Sequence, residues 1–394
     1  MNRRRFLAHA SSAALLSAIR LPDALRHAPV LATSSRAATW PPTSSSGTKI
    51  IAAEWRYLAG RIISSTQDYG FIISIGMTRS TQSPFSQTYQ LLVERVGFVG
   101  AGGFVHTLYD GERAYDPTTA TYTFTGSDPQ ISATLQLDLA SSAAQYRVNL
   151  TTPELTFADL LLLPQTDLVD EGGSGTIDVG EARGYVIGSD YHADWLLIKQ
   201  GEATIGTARL DMQSLYPNLQ QPAQPTSDYD HHWFAIAGEV DDTPLFISAW
   251  RIESARGPRW NVTIARPGWA AQSFTHDLAA AQPLLVQPLG YQPLAGYGVD
   301  VPAGEQIGTS WRIQAGVSRA GDLIDIVVEV PPGQVISSSR LSALGGAGLI
   351  EEAIGIRASG SVQGKPLITA YLVVAESTME VFPRFVYLPL VSDI

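Results

Sequence analysis

The chain of 394 residues contains no cysteine. This absence excludes disulfide bonds, thiolate zinc sites, iron–sulfur clusters and cysteine nucleophiles. Charged residues make up only 16% of the sequence, and acidic residues (37) outnumber basic ones (26), which gives a net charge of −11. A general nucleic-acid-binding protein needs a basic surface, so we expect no nucleic-acid partner.

Several common functional motifs are also missing. The sequence has neither a Gly-x-x-x-x-Gly-Lys-Ser/Thr phosphate loop nor a Gly-x-Ser-x-Gly nucleophile elbow. Beyond residue 38 no apolar run is long enough for a membrane-spanning helix, which leaves peripheral membrane contact open. His231 and His232 form a histidine pair, but neighbouring residues of a strand point to opposite faces. We therefore expect no metal site there.

The first 38 residues have the layout of an export signal. Three arginines at positions 3–5 are followed by Phe6 and Leu7 and then by a short stretch rich in alanine and serine. A basic start followed by a short apolar region is typical of a signal peptide, and the paired arginines resemble a twin-arginine signal. The alternative is a disordered cationic tail. Export predicts a periplasmic or extracellular protein.

The remaining sequence predicts antiparallel β-structure. Hydrophobic residues make up 45% of the chain, enough for a large core, and 35 glycines and 24 prolines punctuate it. Apolar or alternating runs of about four to ten residues recur about every ten residues, as in sandwiches and barrels. Helical periodicity is rare, although 157–163 and 273–281 could each form one or two helical turns. Gly201-Glu202 and Gln363-Gly364 are predicted hairpin turns.

The pattern favours two β-barrel domains over a single large one. Residues 39–49 have the composition of a linker, and the proline-rich stretch 216–228 divides the rest near its middle. We therefore expect an N-terminal domain at 50–222 and a C-terminal domain at 228–394.

Four segments, in order, resemble a family of secreted lipocalin-like proteins that includes the AttH proteins and the carotenoid 1,2-hydratases (hydroxyneurosporene synthases). Ala-Glu-Trp-Arg-Tyr-Leu-Ala-Gly-Arg-Ile at 53–62 is similar to the family's Glu-Trp-Trp-Tyr-x-x-Gly-His-Leu opening. Gly-Thr-Ala-Arg-Leu-Asp at 206–211 resembles its Gly-Thr-Ala-Trp-Met-Asp segment, and 230–236 and 349–372 resemble its later strands. The resemblance implies two consecutive lipocalin-like antiparallel β-barrels and an apolar small-molecule ligand of isoprenoid type.

The resemblance also implies a chemistry that needs no cofactor. A hydratase of this kind protonates an alkene, and water then captures the carbocation. Asp211 matches the family's aspartate and is the candidate acid, because burial among aromatic rings raises the pKa of a carboxyl group. The candidate partners and walls of the site are His232, His192, Trp55, Tyr57, Trp195 and Trp233. Ordinary roles stay open: Asp211 as a turn cap, the tryptophans as barrel core, and Glu54 and Glu352 as partners of Arg56, Arg61 or Arg357.

The sequence also departs from the family's pattern. Asp211 is followed by Met-Gln-Ser-Leu instead of a polar segment, and arginines at 56 and 61 replace a tryptophan and a histidine of the opening motif. These changes favour a second interpretation, a non-catalytic carrier of an apolar ligand.

Overall fold

The computed structural model describes residues 53–64, 67–79, 87–98, 104–138, 144–177, 188–216, 230–253, 258–275, 284–293, 306–316, 324–330, 339–340, 348–354, 357–367 and 369–380. The export signal at 1–38, the linkers at 39–49 and 217–228, and the apolar stretch at 381–391 lie outside the described residues. The described residues form 24 β-strands and one short 3₁₀ turn. Among them, none forms a helix with the length and apolar character that a membrane span requires.

The first unit, within residues 53–216, contains a closed antiparallel barrel of ten strands. These strands are β1 (Ala53–Ile63), β2 (Asp68–Arg79), β3 (Gln87–Gly97), β4 (Phe104–Asp116), β5 (Thr121–Gly126), β6 (Ser132–Asp138), β7 (Gln145–Thr151), β8 (Thr156–Pro164), β11 (Gly188–Gln200) and β12 (Ala203–Tyr216). β12 pairs with β1, and the barrel closes where β8 pairs with β11. The short strands β9 (Val169–Asp170) and β10 (Thr176–Ile177) also pair with β11 and flank the 3₁₀ turn Glu171–Gly173.

The second unit, within residues 230–380, consists of two sheets around one core. The seven-stranded sheet contains β13 (Asp230–Val240), β14 (Thr243–Glu253), β15 (Arg259–Ala265), β16 (Gln272–Thr275), β20 (Ser339–Arg340), β21 (Gly348–Ile354) and β24 (Thr369–Glu380). The five-stranded sheet contains β17 (Leu284–Pro293), β18 (Gln306–Ala315), β19 (Ile324–Glu329), β22 (Arg357–Val362) and β23 (Lys365–Pro366). Phe234 and Ile247 of the first sheet share a buried cluster with Trp311 and Ile326 of the second.

Side-chain alternation explains which residues fill the barrel. Leu58 and Ile62 of β1 and Leu210 of β12 point inward and belong to one apolar cluster that fills the lumen. The intervening residues Tyr57 and Ala59 point outward and belong to a different buried cluster. Successive residues of a strand face opposite sides, so one strand can supply both clusters.

The structure confirms the all-β, lipocalin-like fold class. It also confirms both hairpin turns: φ is 58° at Gly201, 57° at Gln363 and 74° at Gly364, which are left-handed values that suit such turns. The helical interpretation of 157–163 is wrong. This segment lies within β8, where its apolar residues pair with β7 and β11. Tertiary pairing outweighs local pattern for a short apolar run of this kind.

The outer face of the barrel packs against the seven-stranded sheet. Tyr57 and Trp195 of the barrel lie in one buried cluster with Trp233, Phe246 and Trp250 of the sheet. The candidate site lies in this contact between the two units.

Candidate functional site

The register of three neighbouring barrel strands brings the candidate acid and two candidate wall residues onto one face. Asp211 of β12 lies opposite Tyr57 of β1 on one side and Ala193 of β11 on the other. Two residues earlier on β12, Arg209 lies opposite Trp195. This face points away from the lumen and towards the second unit, so Asp211 lies at the contact between the units.

Arg209 is the centre of a buried ionic cluster. Its side chain is fully buried, and its Nε lies 2.6 Å from Asp211 Oδ1. Its Nη2 lies 2.9 Å from Glu171 Oε1, and the same nitrogen contacts the Tyr191 hydroxyl at 3.3 Å and Ser248 Oγ at 3.4 Å. One cation therefore joins two carboxyl groups and two hydroxyl groups.

Aromatic rings enclose this cluster. The guanidinium carbon of Arg209 lies 4.8 Å from the ring centre of Trp195, 5.1 Å from that of Trp233 and 5.9 Å from that of Tyr191. These distances allow cation–π attraction. Trp233 donates its indole N–H to Ser248 at 3.2 Å and meets Tyr57 edge-on at 5.8 Å. The enclosure keeps water away from the charged groups and therefore strengthens their mutual interaction.

The enclosure changes the acidity of both carboxyl groups. Burial raises the pKa of Asp211 to about 7, and the negative charge of Glu171 adds to the rise, although Arg209 opposes it. Burial likewise raises the pKa of Glu171 against the opposing effect of Arg209. Burial would lower the pKa of Arg209, but Asp211, Tyr191 and Glu171 together outweigh this effect and raise that pKa, so Arg209 stays protonated. Because one cation neutralises one carboxylate, the pair retains a proton near neutral pH.

Three polar atoms inside the cluster make no hydrogen bond of normal geometry: Arg209 Nη1, Glu171 Oε2 and Asp211 Oδ2. The Tyr191 hydroxyl lies near the Asp211 carboxyl, and the Ser248 hydroxyl lies near that of Glu171, both outside normal geometry. Buried polar atoms are almost always satisfied by protein, water or a ligand. These atoms therefore retain unused hydrogen-bonding capacity inside the contact between the units.

The structure places the other predicted residues in different surroundings. Trp55 is half-buried and packs at the margin of the same aromatic cluster. His192 follows Tyr191 on β11, so its side chain is on the opposite face of that strand, where its Nδ1 lies 2.7 Å from Asp170 Oδ1. The structure does not bring His192 and Asp211 together.

His232 lies on the opposite face of β13 from Trp233. Its ring centre is 4.4 Å from that of Trp311, inside the second unit. Burial lowers its pKa to about 3, and the neighbouring His231 and Arg251 contribute to this decrease. His232 is therefore neutral at physiological pH and does not face the ionic cluster. His231 points to the other side, with its ring 5.2 Å from that of Trp250.

The two histidine rings confirm the expected opposite orientation. Within the described part of the chain, no group of three potential metal ligands occurs.

The alternative roles of the candidate residues have mixed outcomes. Asp211 is in the middle of β12 and therefore does not cap a turn. Glu54 pairs with Arg56 at 3.0 Å, as expected for a structural carboxylate, whereas Arg61 pairs with Asp68. The side chain of Glu352 lies outside the described part.

Sequence reasoning missed Arg209, Glu171 and Tyr191. Arg209 had a visible signal, because it occupies the position of tryptophan in the Gly-Thr-Ala-Trp-Met-Asp segment that 206–211 resembles. Glu171 had none, because its position depends on the 3₁₀ turn between β9 and β10. Left-handed φ values of 70° and 76° at Gly172 and Gly173 shape this turn, and glycine adopts them without strain.

Comparison with solved structures shows the same architecture. A protein assigned as an AttH from Nitrosomonas europaea superposes with a TM-score of 0.54 and 16% identity, covering 87% of this chain and 99% of that one. The chain has the fold of this protein. Kievitone hydratase from Nectria haematococca superposes with a TM-score of 0.53 and 14% identity, covering 89% and 94%. No family model and no curated protein sequence matches the chain.

Proposed function

We propose that the chain binds an apolar small molecule of isoprenoid type between the barrel and the second unit, and that Asp211 protonates an alkene of this molecule. One observation carries the proposal: burial in an aromatic enclosure raises the pKa of Asp211 to about 7. A carboxyl group with this pKa is a stronger acid than water and still holds its proton near neutral pH.

The proposed reaction is the hydration of an alkene. The O–H bond of the Asp211 carboxyl breaks as a C–H bond forms, and the positive charge moves to the more substituted carbon. Water adds to this carbon, and the proton it releases returns to the Asp211 carboxylate, so the net change is alkene plus water to alcohol. Arg209, 2.6 Å away, stabilises the carboxylate between these steps.

Kievitone hydratase, by its name, is a hydratase with the same fold. At 14% identity this likeness supports the architecture alone, so the reaction proposed for this chain depends on the Asp211 cluster. The resemblance to the carotenoid hydratases supplies the substrate class to be tested first.

The test is to incubate the purified chain with an acyclic carotenoid in D₂O and analyse the products by mass spectrometry. We expect an alcohol with deuterium on the neighbouring carbon. Asp211→Asn is expected to lower the rate by a factor of about 100 or more, because general acid catalysis contributes that much. Asp159→Asn, on the exposed face of β8, is the control. An Asp211→Asn variant as active as the native chain would refute the proposal.

The second candidate is a carrier without catalysis, and the position of Arg209 favours it. The rings that would stabilise a carbocation already surround the guanidinium group of this residue. A carrier would retain the carotenoid, seen by a shift of its absorption, without forming the alcohol, and Asp211→Asn would bind it equally well.

We further propose that residues 1–38 direct export by the twin-arginine route and that 50–222 and 228–394 are separate domains. The basic start and apolar stretch support export, and the proline-rich stretch supports the division. Replacing both Arg4 and Arg5 by lysine should abolish export of a reporter fused to the signal. Export that persisted in this variant would argue against the route.

A further inference from the structure

A second arginine cluster lies inside the barrel, at the end where β1 begins. Glu54 and Arg56 precede Leu58 on the inward face of β1. Arg56 Nη2 lies 3.0 Å from Glu54 Oε1, and the same nitrogen donates to the Tyr122 hydroxyl at 2.8 Å. Tyr122 belongs to β5, so these contacts cross the lumen.

A second arginine shares the same carboxylate. Arg113 of β4 points into the barrel, and its Nη1 lies 3.3 Å from Glu54 Oε1. Guanidinium groups keep their charge at any physiological pH. Glu54 is therefore one negative charge between two positive charges.

Other nearby acids are already engaged. Asp116, the exposed last residue of β4, accepts hydrogen bonds from the Thr118 amide and the Thr119 hydroxyl. Asp170 of β9 pairs with His192 of β11. The cluster of Glu54, Arg56 and Arg113 by itself therefore carries a surplus of one positive charge.

Arg56 has an unused donor. Its side chain is 3% exposed, and its Nε has no hydrogen-bond partner among the described residues. Its Nη1 donates to the backbone oxygen of Trp55, which leaves the Nε–H directed at no acceptor. A buried charged donor of this kind is expected to meet a water molecule or a ligand.

Three tyrosine rings surround the arginines. Tyr122 lies 4.8 Å from the guanidinium carbon of Arg56, and Tyr89 lies 5.6 Å from that of Arg113. The rings of Tyr115 and Tyr122 are 4.6 Å apart. Tyr89, Tyr115 and Arg113 are half-buried, so the cluster is open to solvent on one side. Deeper in the lumen, apolar side chains such as Phe71 and Leu91 fill the space.

We propose that this end of the barrel binds a small organic monoanion, with its carboxylate on Arg56 and Arg113 and its apolar part against the tyrosine rings. The surplus of one positive charge matches a single carboxylate, whose oxygens would accept hydrogen bonds from the free Nε–H of Arg56 and from the guanidinium group of Arg113. Because apolar side chains fill the lumen, the apolar part of the ligand must stay at this end of the barrel, the barrel mouth. A compact aromatic group therefore fits better than a long chain.

The site is independent of the Asp211 cluster. Arg56 and Tyr57 are neighbours on β1, so they face opposite sides of the barrel wall. Loss of one site therefore does not predict loss of the other.

The experiment is isothermal titration of the full chain with 2-naphthoate, 2-naphthamide and acetate. We expect 2-naphthoate to bind, the neutral amide to bind at least tenfold more weakly because it lacks the charge, and acetate to bind weakly because it lacks the rings. Arg113→Gln should weaken 2-naphthoate binding by about tenfold or more, since a hydrogen bond to a charged group is lost. Arg113→Lys keeps the charge without the planar guanidinium group. Its affinity for 2-naphthoate should therefore lie between those of the native chain and Arg113→Gln.

Arg147→Gln is the matched control, because Arg147 is a barrel arginine that pairs with Asp159 on the exposed face. Circular dichroism checks that each variant is folded. Unchanged binding in Arg113→Gln, or equal binding of the acid and the amide, would overturn the anion site. Acetate binding as tightly as 2-naphthoate would overturn the role of the tyrosines.

Discussion

Arg56 and Arg209 lie on paired strands of one barrel wall, but they occupy opposite sides of it. Arg209 points outward into the contact between the units, is fully buried, and joins two carboxyl groups. Arg56 points inward at the barrel mouth and shares one carboxylate with Arg113. Three aromatic rings lie 4.8–5.9 Å from the guanidinium carbon of Arg209, and the Tyr122 ring lies 4.8 Å from that of Arg56.

The ratio of carboxyl groups to guanidinium groups distinguishes the two clusters. Two carboxyl groups around Arg209 leave one of them free to hold a proton, which suits an acid. Two guanidinium groups around Glu54 leave a positive charge, which suits an anion. The same residue types thus predict opposite chemistry in the two clusters, because an uncompensated charge costs more free energy when it is buried.

The largest expected effect that tests this comparison is the loss of Arg209. Arg209→Met removes the cation and leaves Asp211 and Glu171 buried without a positive charge beside them. We expect the free energy of unfolding to fall by about 3–5 kcal/mol, as when one member of a buried ion pair is removed. Urea unfolding measures the change. Arg147→Met, on the exposed face, should cost about 1 kcal/mol or less, and a similarly small loss for Arg209→Met would contradict the ionic account.

The next effect is on pH dependence. The folded chain holds a proton on Asp211 up to about pH 7, whereas the unfolded chain releases it near its ordinary pKa of 3.8. Stability from this group is therefore full below about pH 4 and is lost as the pH rises towards 7. Between pH 5 and pH 8 the loss is about 3 kcal/mol.

Urea unfolding at pH 5 and pH 8 measures this dependence. Asp211→Asn should reduce the difference between the two pH values, since the amide does not titrate. Asp159→Asn should leave the difference as it is in the native chain. A native chain that is more stable at pH 8 than at pH 5 would oppose a raised pKa at Asp211.

A smaller effect tests the filled lumen below the mouth. A Cβ added at Gly60 would lie 2.4 Å from the ring of Phe71, so Gly60→Ala should cost about 1–3 kcal/mol through overpacking. Gly76 of β2 is the control, since the atoms nearest to an added Cβ there are at 3.8 Å. Thermal unfolding should separate the two variants, and equal melting temperatures would mean that the lumen has room for a longer ligand.

The smallest effect on stability is expected for the replacement of Arg113, at the barrel mouth. Arg113 is 13% exposed, and its 3.3 Å contact with Glu54 is shared with Arg56. Arg113→Gln should therefore lower the free energy of unfolding by about 1 kcal/mol or less in urea. A loss as large as that of Arg209→Met would assign Arg113 a structural role in place of a binding role.

The alternating runs and turn residues predicted the class of the fold and most of its strands. They failed at β8, where a short apolar run is compatible with helix or strand until its neighbours are known. The family resemblance also pointed to Trp195 and Trp233 as candidate walls of a site, and both rings are buried beside Arg209. It did not indicate which face of the barrel they would occupy.

By itself the sequence determined an acidic, cysteine-free, all-β chain and drew attention to Asp211. Only the tertiary structure decided that Asp211 faces the second unit and that Arg209, Glu171 and Tyr191 surround it. The reason is physical: period-two alternation assigns residues to one of two faces, but the register between strands decides which side chains meet. The acidity of a carboxyl group depends on these side-chain contacts and on the water that they exclude.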